Sequence, residues 1–204
     1  MILPTKKEEE KLYRIGVSLI AGIDESGKGP LAGPVVSAAV IFPRGVRIKN
    51  IRDSKKLTKK RREELFEIIQ KKALAVGVGL SSEKEIDRYH IVKATLLSMR
   101  KAVLKLSKTP EYIFIDGRDI VPDLDINQKS IIRGDENVFS IAAASIIAKV
   151  TRDKIMRKYH LKFPVYGFDR HKGYGTQLHF EMLKKYGPCP IHRRSFKSIA
   201  PFLT

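Results

Sequence analysis

Two neighbouring carboxylates, Asp24 and Glu25, lie near the start of the chain, directly after an apolar run. A glycine-flanked lysine follows them, in the segment Ser26-Gly27-Lys28-Gly29-Pro30. Hard divalent cations take oxygen ligands and glycines let a backbone approach a phosphate, so the combination indicates metal-assisted phosphate chemistry. Neighbouring side chains on a regular strand point to opposite faces. The two acids can serve one site only if the strand ends or bends here, and an acidic turn is the alternative interpretation.

The spacing from Gly22 to Lys28 also imitates the phosphate-binding loop G-x-x-x-x-G-K, but three features exclude that loop. Gly29 stands where a serine or threonine would hold magnesium. Two carboxylates occupy positions whose backbone N–H groups should surround the phosphate. Pro30 does not lead into the helix that such a loop requires.

Two further acids follow apolar or turn-forming segments. Asp116 ends the apolar run Ile113-Phe114-Ile115, and ligands of α/β proteins bind at the ends of sheet strands. A turn or helix-cap aspartate before Gly117 is the alternative. Asp135 precedes an alanine-rich helix, and its position alone favours a helix N-cap.

Basic and hydroxyl side chains mark two loops that could hold a nucleic acid backbone. Lys172 and Tyr174 lie in the segment His-Lys-Gly-Tyr-Gly-Thr at 171–176, where cations could bind phosphate and the ring could pack on a sugar. A helix-entry loop capped by Thr176 is the alternative. Ser54 and Lys55 offer a hydroxyl and an ammonium group for phosphate, and a solvated turn is the alternative. The segment 192–194, His-Arg-Arg, is interpreted as basic surface.

The pattern of apolar residues predicts an α/β fold with a mixed sheet. Helices are expected after Thr58, after a capping box formed by Ser82 and Glu85, from Asp135 to Tyr159 and from Thr176 to Tyr186. The predicted strands are residues 17–24, 35–42, 73–80 and 111–116.

Composition narrows the class of protein. The 204 residues suggest one domain, and 40 Lys and Arg against 22 Asp and Glu give a net charge of +18, which favours a polyanionic partner such as nucleic acid. Lysine-rich solvated helices are the alternative source of that charge. A single cysteine, Cys189, excludes an internal disulfide and a multi-cysteine zinc site. Acids at positions 8–10 and the lack of a long apolar run predict a cytoplasmic protein without a membrane segment.

Together these segments resemble the ribonuclease HII family, over about residues 17–196 and more in its bacterial form than its archaeal form. The resemblance is carried by blocks in the family's order, which are residues 22–36, 53–57, 115–117, 134–135, 143–153, 171–174 and 190–193. It implies a ribonuclease H-like mixed β-sheet flanked by helices, with a helical C-terminal extension. The expected parts are an N-terminal extension at 1–16, a catalytic core at 17–160 and a C-terminal extension at 161–204 that helps to bind substrate.

The resemblance also implies an activity. The family hydrolyses the RNA strand of RNA–DNA hybrids and cleaves at single ribonucleotides in duplex DNA, leaving 3′-hydroxyl and 5′-phosphate ends. Two divalent ions, Mn²⁺ or Mg²⁺, would act together, since all-oxygen ligands suit these metals better than zinc. Apart from the resemblance, no oligomerisation signal is visible in the sequence, so a monomer is expected.

The resemblance assigns roles to individual residues. The family's four metal-binding acids match Asp24, Glu25, Asp116 and Asp135. The element that reads the ribose 2′-hydroxyl matches Gly27, Lys28 and Gly29, and the tyrosine that packs on the sugar at the scissile junction matches Tyr174. Ser54, Lys55 and Lys172 complete the expected substrate-binding set. The family usually has arginine at position 28, and lysine keeps the charge but loses the bidentate fork, so weaker phosphate anchoring is expected.

Two other functions compete with this interpretation. A non-catalytic nucleic-acid-binding module would bind without cutting, and EDTA would not change its behaviour. A DNA recombinase or junction nuclease on a similar sheet would cut duplexes made only of DNA.

Overall fold

A computed structural model describes residues 3–203 of the chain. Its centre is a five-stranded mixed sheet in the order β3-β2-β1-β4-β5. Strand β1 pairs antiparallel with β2 and parallel with β4, β2 pairs antiparallel with β3, and β4 pairs parallel with β5. The strands are β1 (Ile20–Ser26), β2 (Val35–Ile41), β3 (Ala75–Ser81), β4 (Tyr112–Asp116) and β5 (Asn127–Ile131). The predicted α/β fold with a mixed sheet is confirmed.

Helices cover both faces of the sheet. They are α1 (Lys7–Arg14), α2 (Lys59–Lys72), α3 (Glu83–Leu104, interrupted at His90), α4 (Gly134–Asn137), α5 (Phe139–Lys162), α6 (Phe168–His171) and α7 (Gln177–Tyr186). Three predicted helix starts are confirmed. The Thr58 and Thr176 hydroxyls accept from the backbone N–H three residues later, and Ser82 forms a capping box with Glu85.

Alternate residues of β2 pack into two apolar cores, as expected of a strand buried on both faces. Ala38 and Val40 face α2 and α5, whereas Ala39 and Ile41 face α3. A β-carbon at Gly79 of β3 would lie 2.1 Å from the backbone oxygen of Ser98, so glycine lets α3 approach the sheet closely. The sheet is therefore a rigid platform between two helical layers.

The helix predicted from Asp135 to Tyr159 is wrong in one respect, because the chain breaks at Val138 into α4 and α5. Asp135 is not an N-cap. It lies in the first turn of α4, whose N-cap position is Arg133 in the left-handed region at φ 55°. The start of α5 is capped by a side chain of another helix. Glu9 of α1 accepts from the backbone N–H of Ser140 at 3.0 Å and from the Ser140 hydroxyl at 2.8 Å.

Backbone hydrogen bonds fasten the C-terminal region to the loop that follows β1. Leu31 N–H donates to the carbonyl of Gly173, Gly33 N–H to that of Ile191, and Arg193 N–H to that of Leu31. The division into extensions and core stays a prediction, but these contacts hold the C-terminal region close to the end of β1 described next. Among residues 3–203, no helix is both long and apolar enough to cross a bilayer.

Candidate active site

Three carboxylates from distant parts of the chain meet at one edge of the sheet. Asp24, Asp116 and Asp135 each offer an oxygen, and these oxygens all lie within 4.8 Å of one another. Asp24 lies in β1 directly after Ile23, which pairs with Ile115, and Asp116 ends β4. Because β1 and β4 are parallel neighbours, these two acids emerge side by side. Helix α4 brings Asp135 to the same place.

Asp116 organises the third acid as well as contributing its own charge. Its Oδ1 accepts from the N–H of Gly134 at 2.7 Å and weakly from that of Asp135 at 3.4 Å. The sequence left a cap and a ligand as alternatives for Asp116, and the structure allows both, since it holds the first turn of α4 from another element. The position of Asp135 therefore depends on Asp116.

The electrostatics of the cluster favour a bound cation. Burial raises the pKa of Asp24 well above its ordinary value, and the charges of Glu25, Asp116 and Asp135 raise it further. Burial and then Asp116 raise the pKa of Asp135 to about 6. The Nζ of Lys55 lies 3.7 Å from Asp135. This single ammonium group does not balance the charge of three carboxylates. An all-oxygen donor set with surplus negative charge fits a hard divalent cation.

This pKa shift predicts a pH dependence for the stability of the metal-free protein. A carboxyl whose folded pKa is raised adds stability below its unfolded pKa near 3.8 and loses it as pH rises through about 6. We expect Asp135→Asn to gain about 1–3 kcal/mol relative to wild type between pH 4 and pH 7. Urea unfolding of both proteins in EDTA across this range measures it. A stability difference that does not change with pH would contradict the shift.

Glu25 lies beside the three aspartates but outside their 4.8 Å group. The Nζ of Lys28 lies 2.7 Å from its Oε1, and its Oε2 is buried with no hydrogen-bond partner in the described part of the chain. A buried carboxylate oxygen without a partner is costly unless something else binds it. The strand continues in register through Ser26, so it neither ends nor bends at these two acids, contrary to the expectation. The charge of Glu25 is nevertheless the largest charge effect that raises the pKa of Asp24, so the two carboxylates still belong to one electrostatic site.

Comparison with known proteins decides the family. The family model described as ribonuclease HII matches residues 21–199. The chain belongs to the ribonuclease HII family. It is therefore a nuclease of the hydrolase class, with ribonuclease H activity on RNA–DNA hybrids and a dependence on divalent metal.

Bacterial relatives are similar over most of the chain. The ribonuclease HII of Acetivibrio thermocellus is 56% identical over 188 residues, which cover 92% of this chain and 73% of that protein. That of Caldanaerobacter subterraneus is 52% identical over 188 residues, covering 92% and 78%. These values agree with the bacterial character that the sequence suggested.

Solved structures of archaeal proteins share the fold. The ribonuclease H2 of Pyrococcus horikoshii has 28% identity and a TM-score of 0.76, with 90% of this chain and 96% of that chain covered. The ribonuclease HII of Archaeoglobus fulgidus, solved in complex with PCNA, has 30% identity and a TM-score of 0.74, covering 88% and 95%. A ribonuclease H-like sheet with a helical C-terminal region is thus confirmed.

The glycine loop, residues 27–29, rests on a buried arginine. Arg193 is 0% exposed and donates to the carbonyls of Gly27 at 2.6 Å, Lys28 at 2.9 Å and Gly33 at 2.9 Å. Burial lowers its pKa to about 9, so the guanidinium stays charged at neutral pH. The sequence-based interpretation of residues 192–194 as basic surface is wrong for His192 and Arg193. Both are buried, and both hydrogen-bond to backbone groups of neighbouring loops.

A second buried arginine links the loop that follows β1 to the loop that carries Lys172. Arg152 of α5 donates to the carbonyls of Ala32 at 3.1 Å, Pro34 at 3.0 Å and Lys172 at 3.0 Å. Its side chain also fills the space beside Gly27, whose added β-carbon would lie 2.2 Å from Nε of Arg152. Sequence reasoning missed both arginines, although each lies inside a block that carried the family resemblance.

The tyrosine loop, residues 171–176, lies beside the glycine loop. Tyr174 is exposed, and its ring lies 3.8 Å from the position of a β-carbon added at Gly29. Lys172, half-buried and in the left-handed region at φ 53°, donates from Nζ to the carbonyl of Asp169. The ring of Tyr174 therefore lies close to the glycine loop, which directly follows β1 and its two acids.

Ser54 and Lys55 lie beside the carboxylates in different environments. Ser54 is buried, and its hydroxyl lies 2.9 Å from that of Ser145, while its role in binding substrate stays a prediction. Ser145 in turn hydrogen-bonds Asp24, which lowers the pKa of that acid. Ser54 therefore supports the carboxylate cluster, whereas its neighbour Lys55 is exposed beside Asp135.

Proposed function

We propose that this chain is an endonuclease that cuts the RNA strand of RNA–DNA hybrids and also cuts at single ribonucleotides in duplex DNA. Asp24, Glu25, Asp116 and Asp135 would hold two divalent ions, Mg²⁺ or Mn²⁺. Products would carry 3′-hydroxyl and 5′-phosphate ends. The observation that carries the proposal is the convergence of three aspartates within 4.8 Å, beside a glycine loop.

The four acids act as ligands and not as proton donors in this proposal. Their repulsion, visible in the raised pKa of Asp24 and Asp135, is relieved when divalent charge is present. When bound, two divalent ions supply Lewis-acid chemistry that lowers the pKa of the attacking water and stabilises the leaving 3′-oxygen. Lys55 is placed to neutralise Asp135 before metal arrives and to bind phosphate afterwards.

The glycine loop reads the sugar. Arg193 occupies the carbonyls of Gly27 and Lys28 from inside, so the N–H groups of the loop are the backbone groups that can face a ribose. A 2′-hydroxyl both donates and accepts, and an A-form minor groove displays it. Contact with this hydroxyl distinguishes RNA from DNA without reading the base.

Three basic or aromatic side chains hold the strand around the cut. Lys28 and Lys172 lie on opposite loops and would bind phosphates, while Tyr174 packs on the sugar beside the junction. Lys28 has to exchange its 2.7 Å ion pair with Glu25 for a phosphate, which frees that acid for metal. The net charge of +18 supplies affinity for any duplex through counterion release.

Several sequence predictions enter this proposal unchanged. The C-terminal region at 161–204 contributes substrate contacts through the tyrosine loop, the protein acts as a monomer, and it works in the cytoplasm. Size-exclusion chromatography with light scattering tests the monomer directly.

The deciding experiment supplies a DNA duplex containing one ribonucleotide, a long RNA–DNA hybrid and an all-DNA duplex, each with Mg²⁺ or Mn²⁺. We expect the first two to be cut, with ligatable 3′-hydroxyl and 5′-phosphate ends, and the third to stay intact. EDTA should abolish cutting while gel-shift affinity stays nearly constant. Cleavage of the all-DNA duplex, cleavage in EDTA, or cyclic phosphate ends would each overturn the proposal.

A further inference from the structure

Two buried histidines connect the C-terminal segment to the backbone of Tyr174. His179 of α7 is 0% exposed and His192 is 1% exposed, and their Nε2 atoms lie 2.9 Å apart. Nδ1 of His179 lies 2.9 Å from the carbonyl oxygen of Tyr174. Nδ1 of His192 lies 2.9 Å from the backbone nitrogen of Cys189. These contacts form an unbroken chain from residue 189 to residue 174.

One arrangement of protons satisfies the whole chain. A carbonyl oxygen only accepts, so Nδ1 of His179 carries the proton and its Nε2 is free to accept. Nε2 of His192 then donates to it, and Nδ1 of His192 accepts the N–H of Cys189. Both rings are neutral in this arrangement, and burial lowers the pKa of each to about 4, which keeps them neutral in the physiological range.

The backbone contacts of Tyr174 matter because its side chain makes few contacts that could fix its position. In the part of the chain that the structure describes, the ring is 44% exposed, its hydroxyl forms no hydrogen bond and no other aromatic ring packs on it. Apart from electrostatic interaction with Arg152 and Arg193, the position of the ring is therefore set by its backbone. A third ring, His171, stacks on His179 at 4.5 Å between centroids and accepts from the N–H of Gly173.

We propose that His192 and His179 are positioning residues that fix Tyr174 against the glycine loop and so set the preference for a single embedded ribonucleotide over a long hybrid. The adjacent Arg193 holds the carbonyls of Gly27 and Lys28, so two consecutive residues support the tyrosine loop and the glycine loop. A shift of the tyrosine backbone moves the ring relative to Gly29 and changes how well a junction is sensed. This inference rests on the role proposed above for Tyr174.

We call the hydrogen-bonded chain from Cys189 through His192 and His179 to Tyr174 the relay. Substitutions at His192 distinguish the effect of its hydrogen bond to His179 from a general effect on packing. Glutamine places an amide N–H near the position of Nε2 and can still donate to His179, whereas asparagine is too short and keeps only the contact with Cys189. We measure kcat/KM on a duplex with one ribonucleotide and on a long hybrid, and take their ratio. His192→Asn should lower this ratio about 3- to 10-fold, as expected for one lost hydrogen bond, and His192→Gln should leave it within about 2-fold of wild type. His160→Gln, outside the relay, is the control.

A double-mutant cycle with Tyr174→Ala tests whether the histidines act through the tyrosine. Tyr174→Ala alone should lower the ratio at least as much as His192→Asn, and adding His192→Asn to it should change the ratio by less than about 2-fold. Equal losses on both substrates, or a full additional effect in the Tyr174→Ala background, would overturn the relay while leaving the proposed function intact. An unchanged ratio in Tyr174→Ala itself would overturn the junction-sensing role and the relay together. Melting temperatures of all variants confirm that folded proteins are compared.

Discussion

Replacing Asp24 by asparagine is expected to lower the rate of strand cleavage by roughly 10³-fold or more, because losing a metal ligand removes several kcal/mol of transition-state stabilisation. Duplex binding should stay nearly constant, since the basic surface supplies it. Stability in EDTA should not fall, because the substitution removes a buried charge repelled by Glu25, Asp116 and Asp135. Single-turnover cleavage, gel shifts and thermal unfolding measure the three quantities.

Asp125→Asn is the matched control for this substitution. Asp125 is exposed and precedes Asn127, which pairs with the start of β4 at the end of the strand opposite to Asp116. Its substitution therefore changes the net charge equally and should leave cleavage unchanged. Retained turnover of Asp24→Asn at saturating Mg²⁺ would contradict the ligand assignment. A loss of binding in step with cleavage would contradict the separation of charge-driven affinity from chemistry.

The second large effect is expected from Gly27→Ala. Gly27 has φ of 107°, and an added β-carbon would lie 2.2 Å from Nε of Arg152 and 2.8 Å from the carbonyl oxygen of Pro34. The loop has to move, and a displacement of about 1 Å near reacting atoms can cost 10²-fold in rate. We expect cleavage at a single ribonucleotide to fall by about that factor, with Mn²⁺ affinity unchanged in calorimetric titration.

Gly29→Ala provides a comparison within the same loop. Among the described residues, a β-carbon there meets only the ring of Tyr174, at 3.8 Å, so the free protein should keep its melting temperature. Any loss in Gly29→Ala would then arise in the complex, as a raised KM, from a methyl group that meets the bound substrate. If Gly27→Ala cleaves as well as wild type, the loop does not require its observed backbone conformation.

Sequence patterns predicted the elements whose formation depends on local chemistry. Apolar runs, β-branched in β1 and β2, marked the first four strands, and hydroxyl side chains at Thr58, Ser82 and Thr176 marked three helix starts. Strand β5 was missed because its sequence, Asn-Gln-Lys-Ser-Ile, is polar. It is an edge strand whose formation depends on pairing with β4 and not on its own composition.

The sequence predicted the acidic residues of the site, but not the residues that hold them and their neighbouring loops in position. Asp24 and Asp116 could be placed at strand ends from the apolar runs before them, but the break at Val138 that aims Asp135 arises from tertiary contacts with Asp116 and Glu9. Arginine and histidine side chains are usually exposed, so nothing local distinguishes the buried Arg193 and His192 from Arg194 beside them. Their role becomes visible only when the loops they bind are in place.

The central claim, that these carboxylates form one divalent metal site, is tested most directly by a crystal structure with Mn²⁺ and anomalous diffraction. We expect manganese peaks within about 2.5 Å of carboxylate oxygens of Asp24, Asp116 and Asp135. We expect those peaks to be lost or much weaker in the Asp24→Asn protein under the same soak. Manganese bound only at other positions, or absent from this cluster at millimolar concentration, would contradict the account.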